Sequence, residues 1–132
     1  MRADDLEDPD KPVRVNKLPG YDSNNSMHTT WSRIFSRQRY DAVRRGLTFT
    51  ISVADAWAII NKQGWKCALS GVPFTQGGAR SRTQFSMDRI DSSRGYEPGN
   101  VQFVTLVINL AKKNMTDAEF VHMCKQVAAY SK

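Results

Sequence analysis

The sequence predicts a single α+β domain, and three observations carry that expectation. Two short runs rich in apolar residues, Phe85 to Asp91 and Val101 to Val104, flank a loop, which is the pattern of paired strands. The second run passes straight into a segment of helical period. Amphipathic segments precede this unit and a capped one follows it, and 132 residues suffice for one modest core.

Each element has its own local reason. Residues 1–25 combine acids, Pro12, Pro19, Gly20 and a polar run from Asp22 to Ser26, so they read as a flexible acidic N-terminal arm. Residues 26–132 read as one domain. From about Thr30, Trp31, Ile34, Phe35, Ala42 and Val43 recur at helical spacing until Gly46 supplies a stop, with Arg33, Arg37, Arg39, Arg44 and Arg45 interleaved. Leu47, Phe49 and Ile51 alternate in a short extended piece, and Ser52-Val53-Ala54-Asp55 then opens a second helix that carries Trp57, Ile59 and Ile60 and stops near Gly64. Cys67 to Phe74 reads as a turn-bounded strand, and Gln76 to Arg82 as a mobile basic loop. After the strand pair, Thr105 caps a helix that ends near Asn114. Thr116-Asp117-Ala118-Glu119 is a capping box for a last helix that packs through Phe120, Val121, Cys124, Val127 and Ala128.

Composition narrows the function. Net charge is +6, but five of the acids lie in the first ten residues, so residues 11–132 hold 18 bases against 8 acids, a formal +10. With a sequence pI of about 9.6, such a body suits a polyanionic partner. The residues from Met1 to Asp8 are acidic where a signal peptide is basic, and no apolar run is long enough to cross a membrane, so a cytoplasmic protein is expected. Cys67 and Cys124 form no Cys-x-x-Cys pair, which leaves no disulfide framework and no structural zinc; both read as reduced core thiols.

The segment from Ser86 to Lys112 concentrates the chemistry. A hairpin followed by a packed helix brings Asp88 and Asn109 together at its open end, giving two hard oxygen ligands suited to one Mg²⁺ or Mn²⁺ ion. Arg89, Arg94, Lys112 and Lys113 stand near by to neutralise phosphates.

These residues resemble the HNH endonucleases of the ββα-metal fold, especially the small HNH proteins common in bacteriophage genomes. The resemblance runs from about Arg44 to Cys124, through Arg45-Gly46-Leu47-Thr48-Phe49, Lys66 to Phe74, Ser86-Met87-Asp88-Arg89-Ile90-Asp91-Ser92, Gly95 to Gln102 and Asn109-Leu110-Ala111-Lys112. It implies a ββα core over about residues 85–114 with N-terminal helices and a C-terminal helix. It also implies hydrolysis of phosphodiester bonds in DNA, with double-stranded DNA favoured, by an endonuclease or nickase, in the host cytoplasm if the chain is phage-encoded; a single small site suits nicking by a monomer, and double-strand cutting calls for a homodimer. Asp88 and Asn109 resemble the metal ligands, and Asn100 the middle asparagine that braces the loop.

Two departures qualify the resemblance. The position after the first acid, where the family places its general-base histidine, holds Arg89, which stays protonated and is better suited to clamp a phosphate. The base then falls to His28 swinging in from the arm, to His122, to Asp91 or to a metal-bound water. Ser70 stands where zinc-stapled relatives have a second cysteine, so Trp57, Trp65, Phe74, Phe85 and Phe103 must supply the core instead. DNA contacts are expected from Arg33, Arg37, Arg44, Arg45, Arg80, Arg82, Arg94, Lys112 and Lys113. The alternative reading is a catalytically inactive nucleic-acid-binding module on the same scaffold. A third is an interaction protein whose acidic arm covers the basic site.

Overall fold

The computed structural model describes residues 18–75 and 81–131. Helix α1 spans Ser26–Arg44, four residues earlier than its apolar period begins, because the Asn25 side chain accepts the Met27 and His28 N–H groups as an N-cap. Helix α2, Val53–Lys62, starts where the Ser52 hydroxyl accepts the Asp55 N–H. Strands β1, Phe85–Arg89, and β2, Val101–Thr105, form an antiparallel pair with Met87 opposite Phe103 and Asp88 opposite Gln102. Helix α3, Leu106–Lys112, leaves β2 without a linker, and helix α4, Asp117–Tyr130, begins with the reciprocal Thr116–Glu119 capping box. Among the described residues the chain is therefore an α+β assembly of four helices and one two-stranded sheet.

Aromatic packing holds the layers together. Trp31 stacks on Phe35 at 4.9 Å and meets the edge of Trp57 at 5.1 Å. Phe85, Met87 and Phe103 project from the sheet into this cluster, each at most 2% exposed. Alternation puts Ser86 and Asp88 on the opposite face of β1, and α3 covers them, so four successive strand residues are buried. Leu18 and Tyr21 also lie against the core, and the Trp57 indole donates to the Pro19 carbonyl at 2.7 Å. Residues 1–17 of the expected arm lie outside the described residues.

The outward backbone groups of Met87 and Phe103 are satisfied by side chains. Gln38 of α1 accepts the Met87 N–H at 2.9 Å, and Asn109 donates to the Met87 carbonyl at 3.1 Å. Gln63, just past α2, accepts the Phe103 N–H at 2.9 Å and donates to its carbonyl at 2.8 Å. Neither sheet edge is left bare at its centre.

Several expectations are corrected. Cys67 to Phe74 is a tight turn with one Lys66–Pro73 bridge rather than a strand: Gly71 adopts φ +71° and donates to the Cys67 carbonyl, and Pro73 lacks an N–H for a ladder. Strand β1 stops at Arg89, because Asn100 captures the backbone of Asp91. Helix α3 ends at Lys112. On α4 only Phe120 is buried; Val121 is half-buried, while Cys124, Val127 and Ala128 are exposed, so Cys124 is not a core thiol. No described helix is long and apolar enough to cross a membrane.

Candidate functional site

At the end of the hairpin a cleft of about 380 Å³ is lined by Arg45, Asp88, Arg89, Ser92, Tyr96, Asn109, Leu110, Lys113 and Asn114. Antiparallel pairing followed directly by α3 brings Asp88 and Asn109 to this one surface. Asn109 spends its amide nitrogen on Ser86 Oγ at 2.7 Å and on the Met87 carbonyl at 3.1 Å. No described residue donates to its Oδ1.

Asp88 is 4% exposed, and its Oδ2 accepts from Lys112 Nζ at 2.6 Å and from Gln102 Nε2 at 2.9 Å. No described residue donates to Asp88 Oδ1. Two oxygens without donors among the described residues, one carboxylate and one amide, are a donor set that fits a hard divalent cation and leaves room for water. The described residues contain no cluster of three His, Cys, Asp or Glu side chains. An ion in this cleft would meet one oxygen of Asp88 and one of Asn109.

Lys112 corrects the expectation that it contacts phosphate, for it is completely buried. Its ammonium also binds Asp117 at 2.7 Å and the Arg89 carbonyl at 3.2 Å. Burial alone would lower its pKa, but the hydrogen bonds with Asp117 and Asp88 outweigh that and raise it. A buried lysine without both carboxylates would be strongly destabilising.

The loop between the strands is organised by Asn100. It is 1% exposed, accepts the Asp91 N–H at 2.9 Å, and donates to the carbonyls of Asp91 at 3.0 Å and Gly95 at 2.8 Å. Arg89 donates to the carbonyls of Ser92 at 2.9 Å and Arg94 at 3.2 Å, with its guanidinium 5.5 Å from the Tyr96 ring centre. Arg94 itself is paired with Glu97 at 2.6 Å.

His28 is not in a swinging arm. It sits in the first turn of α1, its Nδ1 accepts the Asp22 N–H at 3.0 Å, and Trp65 stacks on it at 5.1 Å. Burial lowers its pKa against a smaller opposing pull from Asp22. His122 is exposed on α4 and does not line the cleft. The Asp91 carboxylate is committed to the Ser93 hydroxyl and N–H, which hold its pKa below the usual range.

Of the remaining bases, Arg45 and Lys113 line the cleft. Arg33, Arg37 and Arg44 are exposed on α1, with Arg44 over the Tyr40 ring at 5.5 Å. Arg82 is exposed beside a separate apolar hollow formed with Leu106, Val107 and Leu110, and Arg80 lies outside the described residues.

Sequence reasoning missed Gln102, Asp117 and Tyr96. Gln102 stands opposite Asp88 in the strand register, and Lys112 lies three residues after Asn109 on the helix face that meets β1. Both spacings are visible in the sequence once the register is known.

The helices packed on a two-stranded sheet are similar in fold to a solved HNH enzyme. The solved structure that carries this comparison is PacI, described as a rare-cutting HNH restriction endonuclease. It matches with a TM-score of 0.56 over 90% of this chain and 88% of that one, at 17% identity. No protein-family model and no curated protein matches the chain.

Proposed function

We propose that the chain is a divalent-metal-dependent, HNH-type DNA endonuclease or nickase whose ββα-metal core is β1, β2 and α3. One observation carries this reading: two oxygens without donors among the described residues, on Asp88 and Asn109, share a single cleft with the cationic groups of Arg45, Arg89 and Lys113. The PacI likeness supports it at the level of fold.

Asp88 and Asn109 would hold one Mg²⁺ or Mn²⁺. When bound, such an ion supplies Lewis-acid stabilisation of a leaving oxygen. Arg45 and Lys113 neutralise the DNA backbone at the cleft, and the exposed arginines of α1 extend the positive surface beyond it. Arg89 braces the loop by two backbone bonds and presents its charge to the same cleft. Asn100 keeps that loop closed. One compact site of this kind nicks a single strand as a monomer, whereas cutting both strands calls for a homodimer.

The test is conversion of supercoiled plasmid by the purified full chain in Mg²⁺, Mn²⁺ or EDTA, with Asn109→Ala prepared identically. Metal-dependent nicking or linearisation by wild type, lost in the variant, is the expected result. A second reading is favoured by the fact that no histidine lines the cleft: a nucleic-acid-binding module on this scaffold. Shifted but uncut plasmid under every metal condition would decide for it.

A further inference from the structure

The Asp88 carboxylate is divided between two environments. Its Oδ2 is held by Lys112 at 2.6 Å and Gln102 at 2.9 Å, while Oδ1 has no donor among the described residues and belongs to a side chain that lines the cleft. The hold on Oδ2 is rigid, because the Lys112 ammonium has three protons and three acceptors: Asp88, Asp117 and the Arg89 carbonyl. Gln102 is fixed in turn, since its amide also donates to both Asp117 oxygens at 3.2 and 3.1 Å. Neither donor can leave Oδ2 without stranding a buried partner.

We propose that Lys112 is a positioning residue that limits Asp88 to coordination through one oxygen, and so makes the site select small divalent cations over Ca²⁺. The inference rests on the metal-binding reading above. Ca²⁺ gathers about six to eight oxygens and commonly takes both from a carboxylate, whereas Mg²⁺ keeps several waters and needs only one or two carboxylate contacts. With Oδ2 taken by an ammonium, Asp88 and Asn109 offer one oxygen each, which suits the smaller ion. The resident ammonium also neutralises part of the local negative charge, which further disfavours an ion that depends on anionic ligands.

The experiment is competition of Ca²⁺ against Mn²⁺, read by Mn²⁺ electron paramagnetic resonance on the full chain, without DNA and without any activity. The variant is Lys112→Met/Asp117→Asn, which removes one positive and one negative charge together, so that Oδ2 loses its ammonium at constant net charge and keeps only the Gln102 amide. Wild type should prefer Mn²⁺, and the variant should lose about tenfold or more of that preference, the scale on which partners of metal ligands act. An unchanged preference in a variant that still binds Mn²⁺ overturns this inference and leaves the metal reading standing. Failure of wild type to bind either ion overturns the metal reading and this inference with it. If circular dichroism shows the variant unfolded, wild type decides: equal competition by Ca²⁺ overturns the proposal, and a clear preference for Mn²⁺ supports it.

Discussion

Asn100 pairs its side-chain amide with both backbone groups of Asp91, accepting the N–H at 2.9 Å and donating to the carbonyl at 3.0 Å. A third bond reaches the Gly95 carbonyl. Because the residue is almost fully buried, Asn100→Ala leaves the Asp91 N–H and the Gly95 carbonyl without their partner, and the Asp91 carbonyl with the Arg94 N–H alone, at an expected cost of about 2–4 kcal/mol. Urea denaturation with an unchanged m-value would show it. A cost below about 1 kcal/mol would mean that water replaces the amide, and that the loop does not depend on it.

Gly95 is a point of closest approach. A Cβ there would lie 2.5 Å from the Thr48 carbonyl oxygen, while Tyr96 donates to that same oxygen at 2.8 Å. Gly95→Ala must push the loop away from Thr48, with an expected loss of about 1–3 kcal/mol. Tyr96 moves with the loop, so affinity for a DNA duplex should fall as well. An unaltered melting temperature would contradict the close packing.

His28 confers a pH dependence whose sign follows from its lowered pKa. The folded state holds the imidazole neutral, and Nδ1 must be unprotonated to accept the Asp22 N–H. Unfolded chains therefore bind more protons, and stability rises with pH. The contribution is fully present above pH 6.5, the ordinary histidine value, and is lost as pH falls through the lower folded value. Urea midpoints between pH 7.5 and 5 should fall for wild type and flatten in His28→Phe. Parallel curves for the two proteins would remove His28 as the cause.

Gln63 makes a prediction about the sheet. Gln63→Leu removes the partner of the Phe103 N–H and one of two donors to its carbonyl, the other being the Ala68 N–H. One buried donor is then unsatisfied, at about 1–3 kcal/mol. Hydrogen exchange at the Phe103 amide should accelerate relative to its neighbours. Retained protection there would show that another group takes over.

Much of the fold was legible because its determinants are local. Ser52 and Thr116 announce their helices by hydroxyl caps, and the strand pair follows from two short apolar runs around a loop. The approach of Asp88 to Asn109 follows from a strand pair that runs straight into a helix. What stayed hidden depends on tertiary context. A lysine is ordinarily placed at the surface, so nothing local marks Lys112 as the buried partner of Asp88 and Asp117. Asn25 starts α1 before any apolar period is visible, which is why His28 falls in a helix and not in an arm. The apolar residues late in α4 follow helical spacing yet remain exposed, since periodicity reports an amphipathic face without reporting what covers it.

The glutamines that close the sheet bear on how this chain meets others. A two-stranded ribbon has two edges, and an exposed edge is a template on which another chain can extend the ladder. Here amide side chains from Gln38 and Gln63 imitate the missing neighbouring strands at Met87 and Phe103. Growth of the sheet by strand addition is therefore opposed at its middle from both sides.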